Sequence, residues 1–216
     1  MGEYHLKADH IIADEQSLRA LFPPVHALAK LKSLPALDDH ARAFIRRAPF
    51  VCIGTQGADG TADVSPRGDP AGFVAVLDDQ TLAIPDRPGN NRLDSLSNII
   101  ANPHVGLLFM IPGFDETLRV NGLAALVTDP DVLDQLRVHD RAPRLAIVIR
   151  VNEVFLHCAK AFRRSRLWDP AAHQDRAEMP SLMQILLDQT IGAPQDAGEM
   201  RKLDDNLEQG YKDSMY

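Results

Sequence analysis

The sequence lacks the short motifs by which most catalytic chemistry announces itself. It has no GxSxG elbow, so Ser65 before Pro66 reads as a turn or anion-contacting hydroxyl rather than a nucleophile. It has neither GxGxxG nor GxxxxGK[ST], which removes support for a dinucleotide fingerprint and for a phosphate-binding loop of the nucleotide hydrolases. Its eight histidines are scattered, without HExxH or a Cys/His cluster at ligand spacing, and a metalloenzyme is disfavoured. Only two cysteines are present, Cys52 and Cys158, with no CxxC spacing; they read as reduced, buried thiols of a cytoplasmic protein rather than a disulfide. Positive charge is in deficit, Lys+Arg 23 against Asp+Glu 30 for a net −7, so no nucleic-acid partner is expected. No apolar run reaches the length of a membrane span. The start, "MGEYHLKADHII", lacks the basic segment and apolar run of a secretory signal, and Leu6 stands where myristoylation wants Ser or Thr after Met1-Gly2. The expected location is the cytoplasm.

What is present is an ordinary globular composition: 216 residues, 45% apolar and 25% charged, enough for one domain with a sizeable core. Asp14 can cap a helix through "EQSLRALF" that Pro23 and Pro24 stop, and Asp38 or Asp39 a second through "HARAFIRRA", with Ala41, Phe44 and Ile45 on one face. From Pro49 the texture turns to short β-branched runs separated by turn clusters, "FVCIGTQ", "ADVSP", "FVAVLD", "TLAIP", "VGLLFMI", "TLRVNGLAALV" and "LAIVIRVNEVFLHC", which makes at least six strands. Asp59-Gly60 and "VLDDQTLAI" mark hairpins, so neighbours should pair antiparallel. Helices are expected at about 91–101 and at "DPDVLDQLRVH", where Asp129 caps and Pro130 takes the first position. Then comes an amphipathic "SLMQILLDQT" with Leu182, Ile185 and Leu186 on one side, and a polar stretch to Tyr216. The expected fold is mainly β, an antiparallel barrel with flanking helices. Residues 1–48 would form a helical segment packed on it, 49–170 the barrel, and 171–216 a helical extension of the same structural domain.

One junction stands out. "PDRPGNNR", residues 85–92, lies between "TLAI" and "LDSLSNIIANP". A turn accounts for Pro88, Gly89 and Asn90. It does not account for Arg87 and Arg92, whereas an anion does, because N–H groups at a helix start, asparagine amides and guanidinium forks all bind phosphate. More arginines stand at strand ends: Arg67 after a strand in "SPRGD", and Arg119 on one face of a strand with Asn121, two residues on. Each alone can be a solvated rim residue. If their strands are neighbours, the donors converge.

The run from "FVCIGTQ" to "GLAALV", followed by "FLHCAKAFRRSRLWDP", resembles the pyridoxamine 5'-phosphate oxidase-related family of FMN-binding split β-barrels, in particular its FMN-dependent branch of unassigned substrate. "SPRGD", "PDRPGNNR", "LRVNG" and "HCAKAFRRSRLWDP" carry the likeness in that order, over roughly residues 40–170. The resemblance implies a cleft in which Ser65, Pro66, Arg67 and Gly68, with Gly89, Asn90, Asn91 and Arg92, hold the FMN phosphate. Pro85 and Asp86 would run beside the ring; Arg87, at the same helix start, and Arg119 and Asn121, on their shared strand face, are the further cofactor-binding candidates. It also implies a homodimer with flavin sites at the subunit interface, where Lys160, Arg164, Arg166 and Trp168 would come from the other chain. "RRSRLWDP" departs from the oxidase's own substrate-phosphate pattern, which argues against pyridoxamine phosphate as substrate.

The implied function is an oxidoreductase passing electrons through flavin N5 to a small organic substrate, with no catalytic residue identified. A flavin carries the redox chemistry itself, which explains the missing nucleophile and base. Two alternatives are use of the deazaflavin F420 in the same groove, and a flavin carrier or sensor with no substrate.

Overall fold

The computed structural model describes residues 4–216; the Met1-Gly2 pair lies outside the described residues. Two compact units divide at Ser33 and Leu34. In the first, helix α1 (Glu15–Ala20) starts where the Asp14 carboxylate accepts the Ser17 N–H at 2.8 Å, and a second short helix, α2 (Ala27–Leu31), has no counterpart among the sequence-based expectations. Neither helix contains a buried residue.

The second unit, Leu34–Tyr216, carries the sheet. Helix α3 (Asp39–Ile45) belongs here, capped by Asp38, and the expected face of Ala41, Phe44 and Ile45 is buried. Seven strands follow: β1 (Phe50–Gln56), β2 (Ala62–Gly68), β3 (Ala75–Asp78), β4 (Thr81–Pro85), β5 (His104–Met110), β6 (Thr117–Val127) and β7 (Ala146–His157). They form one sheet in the order β2-β1-β5-β6-β7-β4-β3, every neighbouring pair antiparallel. The fold is thus mainly β and antiparallel with flanking helices, as the strand pattern implies, in the split-barrel form that the resemblance implies. The β1–β2 hairpin turns where Gly60, at φ +87°, takes the left-handed backbone that a side chain resists.

Period-two alternation sends Val51, Ile53 and Thr55 of β1 inward, and Val105, Leu107 and Phe109 of β5. The apolar ones among them meet Leu118, Val120, Ile147 and Ile149 in one core. Each such side chain contributes roughly 1.5–3 kcal/mol by leaving water. β4 departs from alternation, with Leu82 through Pro85 all buried, because both of its faces are covered. Ala83 and Ala146 pack with Leu136 under helix α5 (Pro130–Gln135), which starts at Asp129 as expected. Where β6 meets β7 the register shifts, and a Cβ on Gly122 would lie 2.2 Å from the Arg150 carbonyl oxygen, so only glycine fits that close approach.

Helix α4 (Asp94–Ala101) bridges β4 and β5 and buries Ser95, Leu96 and Ile99. After β7 come α6 (Lys160–Ser165), α7 (Leu182–Asp188) and α8 (Ala197–Asp213). The α8 span reads in the sequence as polar chain. Its helix is capped by Asp196 and half-buries Met200, Leu203 and Leu207 at helical spacing, a stripe obscured by surrounding charge. Leu182 and Leu186 of α7 are exposed, while Ile185 is half-buried. Cys158 is exposed rather than buried, and Cys52 is half-buried, its thiol pushed up by desolvation; both are free.

Candidate functional site: an arginine-lined cleft

A cleft of about 920 Å³ opens beside β2, within the range of small-molecule sites. Its first wall is β2, whose half-buried Asp63, Ser65 and Arg67 share one face by strand alternation. The second is the segment 85–96, from the end of β4 to the first turn of α4. The third is Arg141 to Arg144, between α5 and β7, with Ser214 and Tyr216 from beyond α8. Ser65 and Arg67 lie within β2, not in a turn or after the strand, and Pro66 sits in an edge strand, where a missing N–H is tolerated.

The arginines are held unequally. Arg87 donates through Nε to the Asp69 carboxylate at 2.6 Å and through Nη2 to the Leu136 carbonyl at 2.8 Å; the Asp69 side chain is 1% exposed. The Tyr216 hydroxyl donates to the other Asp69 oxygen at 2.7 Å, and the Arg87 guanidinium lies 5.9 Å from the Tyr216 ring centroid. Acceptance by Asp69 pushes the Tyr216 phenol above its ordinary range. Arg67 gives Nη1 to Asp86 at 2.8 Å, but its Nε is buried without a partner. Arg92 is 74% exposed and pairs with Asp94 at 2.8 Å.

The loop that carries Arg92 is conformationally unusual. Asn91 and Leu93 both have positive φ, 58° and 60°, and the Asn90 side chain accepts the Arg92 N–H at 3.1 Å. Leu93 stands at the cap of α4 and gives no side-chain hydrogen bond, so the first-turn N–H groups have no side-chain cap. Below them, Ser95 Oγ donates to Asp63 at 2.7 Å, tying the helix start to β2.

Of the expected site residues, Ser65, Pro66, Arg67, Gly68, Pro85, Asp86, Arg87, Gly89, Asn90, Asn91 and Arg92 all line this cleft. Arg119 and Asn121 do not join them. β6 is separated from β2 by β5 and β1 and from β4 by β7, so the expected convergence fails within one chain. Arg119 instead lies over Phe155, 5.6 Å from its centroid, and Asn121 donates to Glu153 at 2.6 Å. Lys160, Arg164, Arg166 and Trp168 also lie outside the cleft of their own chain. Arg166 pairs with Asp169 at 2.6 Å, and Trp168 donates to the Phe114 carbonyl at 2.7 Å. Sequence reasoning misses Asp63, Asp69, Arg141, Arg144 and Tyr216. Asp69 and Tyr216 are 147 positions apart, and no local pattern announces such a pair.

No His/Cys/Asp/Glu cluster suited to a metal ion occurs among the described residues, and no helix among them is long and apolar enough to cross a membrane. The sequence pattern of the pyridoxamine 5'-phosphate oxidase family matches residues 37–158, more than half of the chain. The chain belongs to that family. The matched span covers all seven strands but leaves α7 and α8 outside the family pattern. No curated protein matches the chain.

Solved structures resemble it at a distance. HupZ of Group A Streptococcus is 16% identical and aligns over 56% of this chain and 93% of its own at a TM-score of 0.46. An F420 reductase is 22% identical over 55% of this chain and 98% of its own, at 0.41. An FMN-binding protein from Syntrophomonas wolfei is 9% identical over 66% and 96%, at 0.42. At these levels of likeness no function transfers.

Proposed function

We propose that the cleft holds FMN and that the protein is an FMN-dependent oxidoreductase acting on a small organic molecule. The observation that carries the reading is the buried, unpartnered Nε of Arg67, set in a cleft with Ser65, Asn90 and an α4 start without a side-chain cap. A buried guanidinium donor left unpaired is costly, and a phosphate oxygen would satisfy it. The donor set and the cleft's size fit a flavin mononucleotide; Asp86 occupies Arg67 Nη1, which leaves Nε as the donor without an acceptor. Bound FMN would supply the redox chemistry, exchanging electron pairs through N5. The chain's own part is to bind and orient: Arg67, Ser65 and the 89–92 loop the phosphate, and the buried strand end at Pro85 one side of the ring.

The proposal extends to a homodimer. Lys160, Arg164, Arg166 and Trp168 would then reach the cleft of a second copy, and a two-fold interface would make both sites shared. Mixing an Arg67→Ala protein with a Lys160→Ala, Arg164→Ala protein and allowing subunits to exchange would restore one intact site in each mixed dimer. No restoration, or a monomer by light scattering, removes the shared site.

The direct test is the visible spectrum of the purified protein and the mass of whatever it releases on denaturation. FMN, bound or taken up on addition, supports the reading, and reduction by NADH or NADPH would distinguish an enzyme from a carrier. A released deazaflavin, a porphyrin absorption band, or failure to bind added FMN overturns it.

A further inference from the structure

The segment after α8 returns to the cleft, although that helix's main packing partner is α7. Tyr216 is gripped there from three separate stretches of chain. Asp69, just past β2, accepts its hydroxyl at 2.7 Å; Arg87, just past β4, stacks on its ring; and from the loop between α5 and β7 the His139 ring meets it edge-on at 5.2 Å. From that same loop Arg141 Nη1 donates to the Tyr216 main-chain oxygen at 2.5 Å. His139 and the adjoining Asp140 have positive φ, 48° and 59°, a backbone that costs non-glycine residues energy and is held by such contacts. One half-buried side chain thus joins the ends of two strands to the loop forming the third wall.

We infer that Tyr216 is a latch: it closes the Arg87 end of the cleft and positions the 139–144 wall against whatever the cleft holds. The inference rests on the proposed FMN site for its ligand but not for its geometry. Because the Arg87–Asp69 ion pair and the Arg87 bond to Leu136 do not run through Tyr216, the wall could open without dismantling the pair beneath it. Loss of the phenol–Asp69 bond would therefore speed a ligand's escape from the cleft.

The test compares wild type with Tyr216→Phe, which keeps the ring and loses the hydroxyl, and Tyr216→Ala, which loses both. FMN is the probe, its association and dissociation followed by flavin fluorescence. Tyr216→Phe should release FMN roughly ten- to a hundredfold faster, the size expected for one hydrogen bond to a charged acceptor, and Tyr216→Ala faster still. Unchanged release from a folded Tyr216→Ala overturns the latch. Hydrogen exchange of residues 139–144 gives a second readout that needs no ligand: it should rise in both variants, and unchanged protection also overturns the inference. If wild type binds no FMN, the cofactor assignment fails, while the exchange measurement still decides the latch.

Discussion

The two ends of the cleft solve the problem of a half-buried arginine differently. At the Arg87 end the guanidinium has a carboxylate, a carbonyl and an aromatic face, and Asp69 is in turn satisfied by both Arg87 and Tyr216. At the Arg67 end one ion pair is made and one buried N–H is left over. The first arrangement is complete without a ligand, and its arginine belongs to the architecture. The second is incomplete in itself, and the proposed FMN site rests on that incompleteness. The difference teaches that a cluster of arginines does not by itself argue for a binding site, since its members can be satisfied to different degrees.

Substitutions can break this contrast. The largest effect is expected from Asp69→Ala, which strands Arg87 in a buried position: removing one partner of such a pair costs about 3–5 kcal/mol, visible as a large fall in chemical-denaturation midpoint with or without FMN. Arg67→Ala should act on binding instead, weakening FMN by about 2–5 kcal/mol in a titration while moving the midpoint less. If the two substitutions have interchangeable effects, the division between architecture and binding is wrong. Arg92→Ala, which removes an exposed pair, should cost about 0.2–1 kcal/mol in stability. The 74% exposure of Arg92 makes it a weaker phosphate anchor than Arg67, so its loss should leave most of the FMN affinity in place.

The smallest effect is expected from pH. The Tyr216 phenol is raised because Asp69 accepts its proton, with the Asp69 charge acting in the same sense and Arg87 opposing it. A group raised in the folded state stabilises it fully below its unfolded value, about 10 for tyrosine, and that contribution is lost as pH rises through the higher folded value. Wild type should therefore show an alkaline step in stability that Tyr216→Phe lacks. A matching step in both proteins would assign it to another group.

Legibility in the sequence follows the range of the interaction. Asp14, Asp38 and Asp129 cap the helices they precede because a cap bonds within three residues, and the strands are readable because alternation is local. The β2 face and the 85–92 loop are also readable, since each wall is contiguous chain. Arg119 is misplaced for a different reason: its strand is visible in the sequence but that strand's neighbours in the sheet are not, and strand order decides which residues converge. Tyr216 is invisible because its partners are Asp69, Arg87 and Arg141, all distant in sequence. Helix α8 is hidden by its charged residues, and Cys158 lies beyond the last strand in exposed chain rather than in the core.

Strand β2 ends the sheet, with β1 as its sole neighbour and its far side unmatched among the described residues. An unmatched strand margin invites a second molecule to continue the ladder. Pro66, in the middle of that strand and opposite Cys52, interrupts the row of amides such a continuation would need. Pro66→Val would lengthen the uninterrupted margin, and sedimentation of the purified variant should reveal self-association by strand addition, a failure of colloidal stability rather than of binding.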